Sequence, residues 1–341
     1  MPAYIDTMMY VGEMPWHKQG IMVNEAPTIK EAIELAGIAW KVEKTPTYYT
    51  VPGKHMWQSH RKETGYYVTY RTDTNEPLGN VSERYEILQN ADAFLPFEPM
   101  LDMGFTLETA GAVQKGKRIW VLAKAPEEYT VGDDKIRRYV FMFTSHDGST
   151  GNCFRDTGIR IVCANTLDYA LGRKGTFDYF IKHTSSIKQQ VLDLREKIAT
   201  SKGNFSKAIS NMNRFVDFKF EDPELLDVYL ETVIPFLKNR NKVSNPDLGI
   251  FVRNNAKPVY ERLIELYHKG HGNKGETLWD AYNAVTEYYT HDKQYKDWVK
   301  ATQFGKPYDY KVNAYNVAVQ FCDTLTPERI YEQLQRPEYN A

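Results

Sequence analysis

Residues 139–171, YVFMFTSHDGSTGNCFRDTGIRIVCANTLDYAL, decide how the fold is read. Tyr139 to Thr144 and Ile159 to Cys163 are short runs of apolar, β-branched and aromatic residues, the pattern of strands buried on at least one face. Between them, His146-Asp147-Gly148-Ser149 is a turn signal. Arg155, Asp156, Thr157 and Arg160 precede the end of the second run, which delivers Cys163, Asn165 and Thr166. The polar residues His146, Asp147, Ser149, Arg160 and Asn165 are therefore expected to hydrogen-bond one another and fix the strand ends. Cys163 sits in Ile-Val-Cys-Ala and is expected to be buried filling.

Upstream the pattern is mostly β. Residues 1–27 read as an irregular arm anchored by Trp16. Thr28 with Glu31 is a capping box that opens a short helix ended at Gly37. From Trp40 to Val81, alternating and Tyr/Thr-rich runs read as strands. The segment Pro52–Gly65 between two of them carries Lys54, His55, His60, Arg61 and Lys62, and reads either as a basic finger or as a solvated hairpin tip. Ala91–Gly104 has helical spacing interrupted by Pro96 and Pro99, so it predicts a short or broken helix. Phe105–Val113 and Arg118–Ala123 predict a hairpin around Gln114-Lys115-Gly116-Lys117.

Downstream of Leu171 the periodicity turns helical. Ile187, Val191, Leu194 and Ile198 form one stripe, which Phe205, Ile209, Met212 and Phe215 continue past Gly203. Asp222-Pro223 opens another helix, with Pro235 expected to kink it, and further helices are read over Val259–Tyr267, Leu278–Tyr289, Asn313–Cys322 and Thr326–Leu334. The expected fold is α+β, a predominantly antiparallel sheet followed by a helical half. Its expected parts are an arm (1–27), a helix-plus-sheet domain (28–171) and a helical domain (172–341), parted near Gly172–Gly175.

Composition narrows the function classes. At 341 residues, 26% charged and 42% hydrophobic, the chain is ordinary globular material. A formal net charge of −1 gives no general attraction to nucleic acid or acidic lipid, so such binding would need a local patch. Three cysteines without a CxxC pair suggest neither a disulfide framework nor a structural zinc site. The opening residues lack a basic stretch followed by an apolar core, and no apolar run has the length of a membrane span. The expectation is a cytoplasmic protein with no membrane, cofactor or metal.

Several stretches together carry a resemblance: Pro15-Trp16-His17 with Gly20, Arg84-Tyr85 with Asn90, His146-Asp147-Gly148-Ser149, Arg160-Ile161-Val162-Cys163-Ala164-Asn165-Thr166, and Asn283-Ala284-Val285-Thr286-Glu287-Tyr288. The chain resembles the phage/plasmid-like protein family, a domain-of-unknown-function group carried by bacteriophages, plasmids and laterally transferred islands. The resemblance covers nearly the full length and implies a mobile-element setting rather than a mechanism. A fainter similarity, through the helix–sheet–helix order and Arg84, Tyr85 and Asn90, is to single-strand annealing proteins of the Erf and Sak kind.

Among the chemistries, a thiol enzyme built on Cys163, His146 and Asn165 or Asp147 is disfavoured, because an apolar setting opposes the thiolate. No histidine pair has metal spacing, and Arg118 follows Lys117 where a P-loop needs Ser or Thr. Cations cluster instead: Lys117 and Arg118 on the hairpin, Arg155 and Arg160 around the turn, Arg173 and Lys174 beyond it, with Tyr169 and Phe177 interleaved. That mixture supplies phosphate contacts and stacking faces, so the leading expectation is non-enzymatic binding of single-stranded DNA, extending to annealing by a homo-oligomer. The bland alternative, a solvated basic face beside core aromatics, stays open. A mobile-element protein that binds a host protein to counter host defence is the alternative function, and an uncharacterised hydrolase the third.

Overall fold

A computed structural model of the chain describes residues 5–12, 19–52, 59–160, 165–167, 178–184, 186–241, 255–295 and 305–324. The architecture is α+β, with antiparallel-rich sheets in the N-terminal half and helices in the C-terminal half. The chain forms two compact units. The first takes Met1–Pro126, Tyr139–Asp156 and Phe177–Lys202; the second takes Glu127–Arg138, Thr157–Thr176 and Gly203–Ala341. The expected parting at Gly172–Gly175 lies outside the described residues.

The strands are β1 (Ile5–Val11), β2 (Ile21–Val23), β3 (Val42–Pro52), β4 (Ser59–Arg71), β5 (Pro77–Ser82), β6 (Thr106–Val113), β7 (Arg118–Val131), β8 (Asp134–Ser145), β9 (Asn152–Arg160), β10 (Asn165–Leu167) and β11 (Asp178–Ile181). One sheet has the order β10-β9-β8-β7-β6-β1-β2, with β11 also paired to β9; the other has the order β3-β4-β5.

Two expectations change here. Ile5–Val11, read as part of an irregular arm, is β1, antiparallel to β6 and parallel to β2. Its Met8, Met9 and Tyr10 are buried, which gives the strand its reason to pair. Asp178–Ile181, in the part of the chain expected to be helical, is a strand in register with Asn152–Arg155 of β9, and Asn152 Nδ2 donates to Ile181 O at 3.1 Å. Four residues carry too little periodicity to announce a strand whose partner lies elsewhere in the chain.

The predicted β6–β7 hairpin forms. Gln114, Lys115 and Gly116 all have positive φ, and Gly116 N–H donates to Asp6 Oδ2 at 2.8 Å. The capping box also forms, opening α1 (Ile29–Leu35). Pro96 and Pro99 split the next helical stretch into α2 (Asn90–Phe94), a 3₁₀ turn and α3 (Glu98–Asp102). Phe94, Phe97 and Met100 from these turns pack with Ile119, Val140, Met142 and Phe154 of the strands to make the core of the first unit.

Helix α4 (Ile187–Asp217) follows; α5 (Pro223–Val233), α6 (Ala256–Lys269), α7 (Leu278–Glu287) and α8 (Lys306–Asp323) complete the helices among the described residues. Asp222 caps α5 by accepting from Glu224 N–H at 2.8 Å, and Pro235 ends it in a 3₁₀ turn rather than kinking it. The second unit's core is aromatic, with Phe215 edge-on to Tyr282 and Tyr315, and Tyr229 edge-on to Phe321. The segment Thr326–Leu334 lies outside the described residues. No helix among the described residues is long and apolar enough to cross a membrane.

Candidate functional site

The turn after β8 is built around a buried histidine. His146 is fully buried with Trp40 edge-on at 5.5 Å, its N–H donates to Lys117 O at 2.7 Å, and its carbonyl accepts from the Thr69 hydroxyl at 2.6 Å. These bonds tie the turn to the β6–β7 hairpin and to β4. Burial pushes the imidazole down to about 3, with nearby His183 acting the same way and Asp147 opposing, so the ring is neutral at physiological pH.

Beside it, Asp147 Oδ1 accepts from Ser149 N–H at 2.9 Å, an Asx-type closure of the turn. Arg118 donates to Ser149 Oγ at 3.1 Å and to Gln114 Oε1 at 3.0 Å, and stands 3.7 Å from Asp147 Oδ2. Tyr85 stacks on His183 at 4.4 Å, and its hydroxyl donates to Ser145 O at 2.8 Å. His183 Nδ1 lies 2.9 Å from Glu86 O, the contact of a donated N–H, and burial lowers its basicity. The constellation is rich in hydrogen bonds that terminate on its own backbone, which is the chemistry of a rigid corner.

Of the expected turn network, Asp147 and Ser149 meet, while His146 bonds to Asn90, Lys117 and Thr69 instead. Arg160 and Asn165 are backbone partners of β9 and β10. Their side chains lie outside the described residues, as do Cys163, Tyr169, Arg173, Lys174 and Phe177 altogether. Two expected phosphate contacts need correction. Arg118, at the start of β7, and Arg155, within β9, are both buried, so neither presents its guanidinium to a nucleic-acid backbone. Lys117 is half-buried at the hairpin. Among the described residues no three His, Cys, Asp or Glu side chains come together as a metal-ligand set.

Two features escaped the sequence reading. The first is the row of exposed tyrosines on the β3–β4 ribbon, where Tyr48 and Tyr49 in its outer half and Tyr66 at the edge of β5 are 52%, 50% and 60% exposed. β5 pairs only with Tyr66 to Tyr70, so Ser59–Gly65 runs on as one half of a two-stranded ribbon beside Tyr48–Pro52. The basic segment was its one signal. The second is α7, all ten of whose residues are buried. Its apolar side (Leu278, Ala281, Tyr282, Val285) enters the core, but Asn283, Thr286 and Glu287 are buried too. A sequence pattern cannot distinguish a buried polar stripe from a solvated one.

A family model described as a domain of unknown function (DUF932) matches residues 77–314. No curated protein and no solved structure matches the chain.

Proposed function

The chain belongs to the DUF932 family of unknown function, and we propose that it binds single-stranded nucleic acid along one face of the β3–β4 ribbon. The observation that carries the reading is the pairing of Tyr49 with Lys62 and of Val51 with His60. Residues directly opposite, and those two further along, share a face, so one side of the ribbon bears Tyr49, Lys62 and His60. The other bears Tyr48, Glu63, Thr50 and Arg61, and there Tyr48 is already bonded to Glu63 Oε1 at 3.3 Å.

An exposed ring beside the exposed ammonium of Lys62, with no carboxylate on the same face among the described residues, suits a strand whose bases stack and whose phosphates meet Lys62. Stacking on one aromatic ring is worth about 1–3 kcal/mol per base. The buried Arg118 and Arg155 then serve the fold, and the binding role passes to the ribbon. Carriage by a phage or plasmid, a cytoplasmic setting and an annealing role belong to the same proposal. Annealing would need several ribbons side by side, hence a homo-oligomer.

The test is an electrophoretic titration of the protein with single- and double-stranded oligonucleotides across a salt series. The expected result is preference for the single strand, with log K falling by about 0.7 per phosphate contacted for each decade of salt. Absence of binding at low salt would overturn the proposal and leave a host-protein partner in front.

A further inference from the structure

From α7 and the loop before it we infer a second site, independent of the ribbon, that takes one divalent metal ion of the kind that accepts mixed nitrogen and oxygen donors. Glu287 closes α7 with a side chain only 6% exposed, and its Oε1 stands 3.0 Å from Nδ1 of His271, whose ring is 74% exposed. The other carboxylate oxygen, Oε2, is buried without a hydrogen-bond partner. One turn earlier on the same helix face, Asn283 is fully buried; its Nδ2 donates to Trp279 O at 2.9 Å, which leaves Oδ1 as the acceptor, and this too is buried without a partner. Two buried acceptors, one of them on a carboxylate, call for a positive charge or for donors.

The placement has metal-site character. Donors at i and i+4 share one helix face, the spacing by which helices chelate. His271 Nδ1 and Glu287 Oε1 are hydrogen-bonded at 3.0 Å, and two ligand atoms about 2.1 Å from one octahedral ion and at right angles to each other stand about the same distance apart, so the pair can open onto an ion with little movement. The loop is held to the helix: Asn273 Nδ2 donates to Leu266 O and Asp280 O, and Asp280 accepts from Lys274, Glu276 and Thr277 N–H. Gly270 packs closely here: a Cβ there would stand 2.4 Å from Leu266 O and 2.8 Å from Glu287 Oε2, so a side chain at this position would press on the carboxylate. The helix then widens into a π-turn over Tyr288–Asp292, a distortion that recurs at functional sites. The donor set is thus one carboxylate, one imidazole and one amide oxygen.

The test is calorimetric titration of the metal-stripped full chain with Mn²⁺ and, separately, Zn²⁺, on wild type, Glu287→Gln and His271→Ala, each checked for folding by circular dichroism. Glu287→Gln keeps the shape and His271→Ala changes an exposed ring, so at least the second variant reports on a folded protein. The expected result is one ion bound per chain, weakened at least tenfold in every variant that folds. No binding of either ion by wild type, or wild-type affinity in His271→Ala, would overturn the site.

Discussion

His146 Nε2 lies 2.8 Å from Asn90 Oδ1, and the Asn90 amide nitrogen donates to Ile38 O and Trp40 O. Because those two carbonyls fix the amide orientation, Oδ1 is the acceptor and His146 must carry its proton on Nε2. One buried pair thus joins the turn after β8 to the loop before β3 and to the start of α2.

That tautomer sets a pH dependence. The folded imidazole is held down at about 3 by burial, against an ordinary 6.5, so between these values the unfolded chain takes a proton that the folded chain refuses. Stability from this group is therefore full above about pH 6.5 and falls as pH drops toward 3, by at most about 1.4 kcal/mol per pH unit. His183, also lowered, acts in the same direction. Urea unfolding between pH 7 and pH 5 should show the decline, and His146→Gln, whose amide still donates to Asn90, should flatten it. Parallel curves for the two proteins would contradict a neutral, buried His146.

Gly79 of β5 offers a steric check on the same corner. A Cβ there would lie 2.5 Å from Asp147 Cα and 2.8 Å from Asp147 O, so backbone would have to move. Gly79→Ala should cost about 3 kcal/mol, the upper end for overpacking. Gly203, inside α4 with nothing within 4 Å of its Cβ position, should respond with the opposite sign, and Gly203→Ala should stabilise by about 0.5–1 kcal/mol. Equal effects in chemical denaturation would show that β5 does not press on the turn.

In the second unit, Trp279 Nε1 donates to Asp134 Oδ2 at 2.7 Å while its ring stacks on Tyr282. Trp279→Phe removes a bond to a charged group, so a loss of about 1.5–3 kcal/mol is expected. Asp134→Asn, which keeps an acceptor, should lose less. The reverse order in a denaturation series would place the energy in the ring packing rather than in the bond.

What was legible in the sequence is what local chemistry determines. Thr28 and Glu31 announce α1, Pro96 and Pro99 announce a broken helix, and the Gln114–Lys117 turn announces its hairpin, because each signal lies within a few residues of its effect. β1 and β11 were not legible, since their partners are β6 and β9, far along the chain. The site suffered from the same blindness. Arg118 and Arg155 look solvated in a string of letters, and only the assembled sheet buries them. Asn283 and Glu287 look like a wet helix face for the same reason. Conversely Tyr49 and Lys62 are 13 residues apart in sequence, and only the register makes them neighbours.

The nucleic-acid reading stands or falls on one face of the β3–β4 ribbon. Fluorescence anisotropy with a labelled single-stranded oligonucleotide at low salt should compare wild type with the double variants Tyr49→Ala/Lys62→Ala and Tyr48→Ala/Glu63→Ala. The first pair removes a stacking ring and a cation from the binding face, and stacking alone at about 1–3 kcal/mol corresponds to roughly a 5- to 150-fold loss of affinity. The second pair lies on the opposite face, where affinity should hold or rise as a carboxylate is removed. A wild type that does not bind, or equal losses in the two variants, would contradict the account.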